Sequence, residues 1–527
     1  MVFVIGSGPA GVACASALLD GGEKVTMLDA GLELERNRRH QLASLRSRPS
    51  TSWDKESLGF LRDGVEVTRD GIPLKLAYGS DFPYRDPLEH PGSLDGAYSK
   101  PSYARGGLSN VWGASVLPYR TEDMSEWPIT ADDLAPHYRA ALAMMPFSAR
   151  HDGLEEQFPL YHDSPGMLGS SSQAEALLRD LEHNASALAS RGIRFGTSRL
   201  AVQAEGAGGK PGCIHCGKCI YGCPYEFIYN SAHTLERLKE NPAFSYRPGV
   251  VVERLAELDS QVEVTARTPD RGSTLLMRAD KVFVACGVLN TARLTLASLE
   301  AFDEPIHALD NCYFLMPLVR YRGRPEALRE NLHTLAQVFI EVLDPGVGPH
   351  RAHLQVYTYN ELFQEEIERV LGPVHRALPM VKRSMLSRLL LIQGYLHSDL
   401  SAGVQMVLRR EFGEEFPSLD LAGVPNPLTR RALAAVRRRL WAERGSMRAV
   451  PISQMMRVGL PGRGFHTGGT FPMKVKPARL QTDVLGRPPG LTRVHLVDSS
   501  VFPSLPATTI TLSVMANAHR IATQAIA

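Results

Sequence analysis

The sequence predicts an α/β protein: a Rossmann-type dinucleotide-binding domain joined to a second, α+β domain built on an antiparallel sheet. Three observations carry this reading. A glycine fingerprint lies between two strand-like runs at the start of the chain, β-like runs follow one another through the middle, and a strand, a turn and a helix close the chain.

At roughly 150 residues per domain, 527 residues imply two to four units. The 44% apolar and 22% charged residues are those of a globular chain, and a net charge of +2 gives no field for a nucleic acid partner. No apolar run reaches the ~18–20 residues of a membrane span, so no transmembrane segment is expected. The richest run, Met385 to Leu396, is interrupted by Ser387, Arg388 and Gln393 and reads as buried. No charged region or apolar leader precedes the first strand, which points to a cytoplasmic protein.

Val2-Phe3-Val4-Ile5 is a short apolar run suited to a buried parallel strand. Gly6-Ser7-Gly8-Pro9-Ala10-Gly11 follows, then a helix-forming stretch from Val12 to Leu19 and a second strand ending at Asp29. Gly6 allows the tight turn, Gly8 lets a pyrophosphate approach the backbone, and Gly11 lets helix and strand pack closely. The helix N-terminus then faces the phosphate charge. Asp29 lies where an acid accepts a ribose hydroxyl. The motif alone does not separate FAD from NAD.

Four further segments narrow the choice. Arg105 to Gly113 is a glycine-rich loop containing Gly106, Gly107, Ser109 and Asn110; alone it reads equally as an ordinary surface loop. Lys281 to Gly287 is a strand returning to the parallel sheet, with Asn290 as the expected cap of the next helix. His466-Thr467-Gly468-Gly469-Thr470 lies near the end. Val494 to Ser500 reads as strand then turn, leading through Pro503 and Pro506 into a helix from Thr511 to Ala522. Together these motifs resemble the glucose–methanol–choline family of FAD oxidoreductases, at both ends and in the middle of the chain. The resemblance implies bound FAD and a small-molecule alcohol as substrate. It implies that residues 106–110 line the flavin, with Gly287, Ser499 and Thr511 also at the cofactor, and that Asp498 contacts its ribityl–pyrophosphate region. It makes His466 the base beside the flavin. Such a family member oxidises a sugar or another secondary alcohol; a lipid-linked alcohol is the alternative, suggested by the basic and apolar stretch from Arg376 to Arg410.

A neutral imidazole suits removal of a hydroxyl proton, because its ordinary pKa lies near the working pH. The family supplies a second histidine or asparagine a little past the Asp-x-Ser turn, where this sequence has Thr509. A threonine hydroxyl donates or accepts a hydrogen bond but is no base at neutral pH. The second role therefore falls to His466 alone or to a residue of the substrate domain, or else the flavin site has lost alcohol oxidation. His495 reads as structural.

Four of the seven cysteines form Cys213-x2-Cys216-x2-Cys219-x3-Cys223-Pro224, the bacterial ferredoxin spacing for a 4Fe–4S cluster. A zinc site, or thiols that only staple a loop, are the alternatives. The fourth ligand is Cys223 or the distant Cys312. A cluster would pass electrons from flavin to an acceptor protein or quinone; without one the chain reads as an oxygen-using oxidase.

The expected domains interleave. The FAD-binding domain takes 1–120, with an irregular excursion at 41–90, then 195–305 with the cysteine motif, and 455–527. A helical cap covers 121–194 and the substrate domain 306–454, which includes a basic helix from Pro427 to Glu443. The turn at 269–272 reads as a hairpin.

Overall fold

The computed structural model describes residues 1–62, 71–270, 272–346, 348–364, 368, 372, 378–410 and 415–526. Val2–Ile5 lies at the centre of a five-stranded, wholly parallel sheet, in the order Val494–Leu496, Lys281–Val284, Val2–Ile5, Val25–Leu28 and Phe244–Arg247. All four residues of the opening strand are buried, as both-face coverage by helices requires. The helices Pro9–Asp20, Val288–Ser298 and Thr511–Ile526 supply that cover. The closing helix packs along the opening one, where a Cβ on Gly21 would meet Ile526 Cδ1 at 2.1 Å.

The second unit is the predicted antiparallel sheet. Its seven strands run in the order Ala449–Pro451, Tyr313–Arg320, Leu389–Tyr395, Arg351–Tyr357, Val338–Leu343 and Ile193–Thr197, with Arg457–Val458 beside Tyr313–Arg320. It has its own apolar core, in which Phe314, Ile340, Leu354 and Ile392 are fully buried. A three-stranded antiparallel sheet, Val251–Glu257, Val262–Arg267 and Thr274–Ala279, and a five-stranded mixed sheet complete the architecture. The hairpin expected at 269–272 joins two of these strands, although Arg271 lies outside the described residues, as does Arg376.

Local readings differ from the structure in three places. Helix Val288–Ser298 is capped by Gly287, at φ +77°, and not by Asn290, whose amide donates to Ser102 O. Residues 41–90 are not irregular throughout: the helices Arg36–Arg46 and Lys55–Arg62 fall in or across them. Of the β-like run from His333 to Leu343, one of those through the middle of the chain, only Val338–Leu343 forms a strand. Among the described residues no helix is long and apolar enough to cross a membrane.

Phe283 is fully buried in the parallel sheet and stacks on His495 at 4.7 Å between ring centroids, so His495 has the structural place expected of it. Phe283→Ala is expected to lower unfolding free energy by about 3–5 kcal/mol, read from the denaturant midpoint.

Candidate functional site

The turn between the opening strand and helix is forced by its glycines. A Cβ on Gly11 would lie 1.9 Å from the Gly6 carbonyl oxygen, and Gly6 itself has φ +98°. Gly8 differs: a Cβ there meets nothing within 4 Å. Gly8 is the N-cap of a helix with no capping side chain and Pro9 in its first turn, so its open face leads directly to unsatisfied amides.

That open face borders a cavity of about 740 Å³. Gly6, Gly8, Pro9, Ala10, Asp29, Gly107, Ser109, Gly287, His466, Asp498, Ser499, Thr509 and Thr511 all line it, while Gly11, Gly106 and Asn110 stand behind its wall. The three helices that begin at Pro9, Val288 and Thr511 present their N-terminal turns there, a favourable field for an anion. The residues behind the wall hold it in shape. Asn110 donates to Arg105 O and Gly107 O, and the Gly106 amide donates to Ser7 Oγ at 2.9 Å. Ser7 Oγ in turn donates to Asp29 Oδ2, which also accepts from Tyr246 OH. Burial pushes the Asp29 carboxyl up to about 6. Asp498 is buried as well. Its Oδ2 accepts from Gly287 N and Thr291 Oγ1, and its Oδ1 from Ser500 N.

His466 reaches the cavity from the far end of the chain. Its ring stacks on Tyr395 with centroids 4.6 Å apart. Its Nδ1 is buried and has no hydrogen-bond partner among the described residues, which leaves Nε2 as the nitrogen able to meet a ligand. Burial, then the field of His353, pushes the imidazole down to about 4. Thr509 is buried, and its Oγ1 likewise has no partner among the described residues.

Sequence reasoning missed the wall opposite. Gln355 and Tyr357 project from one strand and Gln393 and Tyr395 from the next, with Gln355 paired to Gln393 in register. Behind them the wholly buried His353 shares its Nδ1 with Glu341 Oε1 at 2.5 Å, while its Nε2 meets Gln355 Nε2 at 3.3 Å. Period-two alternation in 351–357 was the signal available; nothing local marked its polar side as facing a cavity.

The four motif cysteines face one another. Cys213, Cys216 and Cys223 each feel Cys219, and amides of His215, Lys218, Thr334 and Phe227 point at Cys213, Cys216, Cys219 and Cys223 respectively. Burial, before any other cause, pushes the Cys213 and Cys216 thiols up to about 12. Cys312 stands apart: it belongs to the antiparallel core, beside Asp310 and Ser401. Lys75, whose ammonium burial pushes down to about 8, lies between Cys219 and the cavity, which Ile220, Tyr221 and Thr334 also line.

No protein-family model matches the chain. It is similar over 99% of its length to pyridoxine 4-oxidase from Mesorbium loti, at TM-score 0.57 and 16% identity, covering 98% of that chain. A variant of Aspergillus oryzae RIB40 formate oxidase, made to follow the effect of a mutation on FAD modification, matches all of it, at TM-score 0.58 and 15% identity over 97% of that chain. Among curated proteins, 6'''-hydroxyparomomycin C oxidase of Streptomyces lividus is 27% identical over 309 residues, which are 56% of this chain and 50% of that protein. The chain thus matches about half the length of that relative. The whole-length structural matches identify the fold as the one implied by the glucose–methanol–choline resemblance.

The two glycines should separate cleanly in stability. Gly11→Ala is expected to cost about 1–3 kcal/mol, because its methyl has no room. Gly8→Ala should stay within about 1 kcal/mol of the parent. Chemical denaturation of both proteins checks this.

Proposed function

From the glucose–methanol–choline fold as premise, we propose that the protein is an FAD-dependent oxidoreductase that converts a small-molecule alcohol to a carbonyl compound. The observation that carries the proposal is the position of His466, on the wall of the same cavity that the open face at Gly8 borders. The residues fit the cofactor: the glycine cradle is empty of side chains, three helix N-termini converge on it, and Asp29 stands at the end of the second strand. When bound, FAD supplies the acceptor for the hydride that leaves the carbinol carbon.

The chain's own part is to hold the alcohol and take its proton. His466 Nε2 accepts the hydroxyl proton, and its low pKa keeps it unprotonated at neutral pH. Tyr395 fixes the ring from one side. Gln355, Tyr357 and Gln393 offer amide and phenol groups that suit a hydroxylated substrate, such as a sugar or another secondary alcohol. Thr509 adds a hydroxyl but no base, so His466 carries the proton alone.

We assign the cysteine nest a 4Fe–4S cluster ligated by Cys213, Cys216, Cys219 and Cys223, with electrons leaving to an acceptor protein or quinone. Amides aimed at all four sulfurs suit thiolate ligands, and the nest adjoins the cavity through Lys75. All seven cysteines are free, in keeping with the cytoplasmic site of action we assign. The second reading is an oxygen-using oxidase, favoured by the names of the similar proteins.

His466→Ala is expected to slow anaerobic flavin reduction by about 10²–10⁴-fold while FAD stays bound. In the parent the rate should hold steady near neutrality and fall as pH drops through about 4, where the imidazole gains a proton. An unchanged rate in His466→Ala removes the assignment. Gly8→Ala should fold yet bind FAD more weakly, seen by flavin release on dialysis. Iron and sulfide analysis of anaerobically purified protein should find one cluster; protein without iron that consumes oxygen during turnover establishes the second reading instead.

A further inference from the structure

The side-chain wall of the cavity is backed by a charged couple that the proposed proton transfer does not use. Glu341 and His353 face each other on neighbouring strands, 1% and 0% exposed, and Glu341 Oε1 lies 2.5 Å from His353 Nδ1. The field of the carboxylate reaches the guanidinium groups of Arg120, Arg199 and Arg351, which suits its ionised form. Phe339 holds the imidazole edge-on, with ring centroids 4.9 Å apart. Neither Glu341 nor His353 lines the cavity, so they act on a ligand there only through a neighbour.

That neighbour is Gln355. It turns its amide nitrogen, which only donates, to His353 Nε2 at 3.3 Å. Nε2 therefore carries a lone pair, and the ring proton sits on Nδ1, facing a carboxylate that only accepts. The reverse setting of the amide would bring two acceptors together, Oε1 against Nε2. The series Glu341, His353, Gln355 thus has one polarity, and it turns the Gln355 carbonyl away from the imidazole. Oε1 there accepts from Tyr357 OH at 3.3 Å and from Ser115 Oγ at 3.4 Å, and both of these residues line the cavity. Hydroxyl hydrogen bonds are ordinarily about 2.7–2.8 Å long, so both contacts are weak. A ligand hydroxyl that reaches Oε1 makes a shorter bond than either.

We propose that Glu341 and His353 are positioning residues that fix Gln355 as the acceptor for a second hydroxyl of the substrate, so that the protein takes polyols, such as sugars and cyclitols, in preference to alcohols with a single hydroxyl. The proposal rests on the reading of the cavity as an alcohol site. One hydroxyl gives its proton to His466, and another donates a hydrogen bond to Gln355 Oε1. A site built around a buried acceptor penalises an analogue that lacks the donor, because the acceptor then loses its partner.

The test reads binding to His466→Ala holoprotein, in which reduction is slow, from the change in the oxidised-flavin spectrum on adding cyclohexanediols or the matching methylcyclohexanols. Each pair exchanges one hydroxyl for a methyl of similar size. The best-bound diol should bind at least about tenfold more tightly than its match. Glu341→Gln, added to the same protein, removes the fixed polarity, and the preference should fall to within about threefold. A merely structural role would weaken diol and match alike and leave the preference in place. Gln355→Leu removes the acceptor itself and should abolish the preference, which decides the matter should Glu341→Gln fail to retain FAD. The proposal is overturned if no diol binds more tightly than its match, or if the preference survives in Glu341→Gln or in Gln355→Leu. No step of this measurement reduces the flavin, so its failure stands apart from failure of the proposed activity, which the reduction rate tests.

Discussion

The buried carboxylate of Asp498 accepts the Gly287 amide, the Thr291 hydroxyl and the Ser500 amide, and so ties the closing turn to the strand and helix at 281–298. The neighbouring turn carries the tie onward. Ser499 Oγ donates to Thr467 O, and the Gly469 and Phe471 amides donate to Ser499 O and Ser500 O. His466 precedes this ladder and depends on it for its place. An uncompensated carboxylate here would be costly; three donors make its burial tolerable.

The two sheets build the cavity by different means. The parallel sheet delivers backbone: its strands end in turns whose helices point their free amides inward. The antiparallel sheet delivers side chains: alternate residues of neighbouring strands face the same way, so Gln355, Tyr357, Gln393 and Tyr395 gather on one wall. One half suits a phosphate-bearing ligand and the other a small polar molecule. They meet at His466, which sets the proposed base beside the polar wall.

Much of the fold was legible because its signals are local. Gly6 and Gly11 each answer a steric demand that only glycine meets at its position, Gly8 leaves the face before the helix open, and Val2 to Ile5 is apolar on both faces because both are covered. Asn290 misled because a polar residue near a helix start is usually a cap, whereas Gly287 turns the chain with positive φ. The Glu341–His353 couple was invisible, since its partners sit on separate strands and only register joins them. Cys312 was an open alternative to Cys223 for the same reason: sequence distance does not say which core a thiol enters.

The sheet order has a bearing on biosynthesis. The strand made first, Val2–Ile5, sits in the middle of the parallel sheet, while one edge is Val494–Leu496 and its cover is the helix Thr511–Ile526. A growing chain therefore keeps Val2–Ile5 unpaired on one side until Lys281–Val284 has emerged, and keeps Lys281–Val284 unpaired on its far side until Val494–Leu496 follows. Protection of the unpaired strand edges while the long insertion at 29–280 is made, and loss of one sheet edge when Val494–Leu496 and the helix Thr511–Ile526 are removed, follow from this ordering.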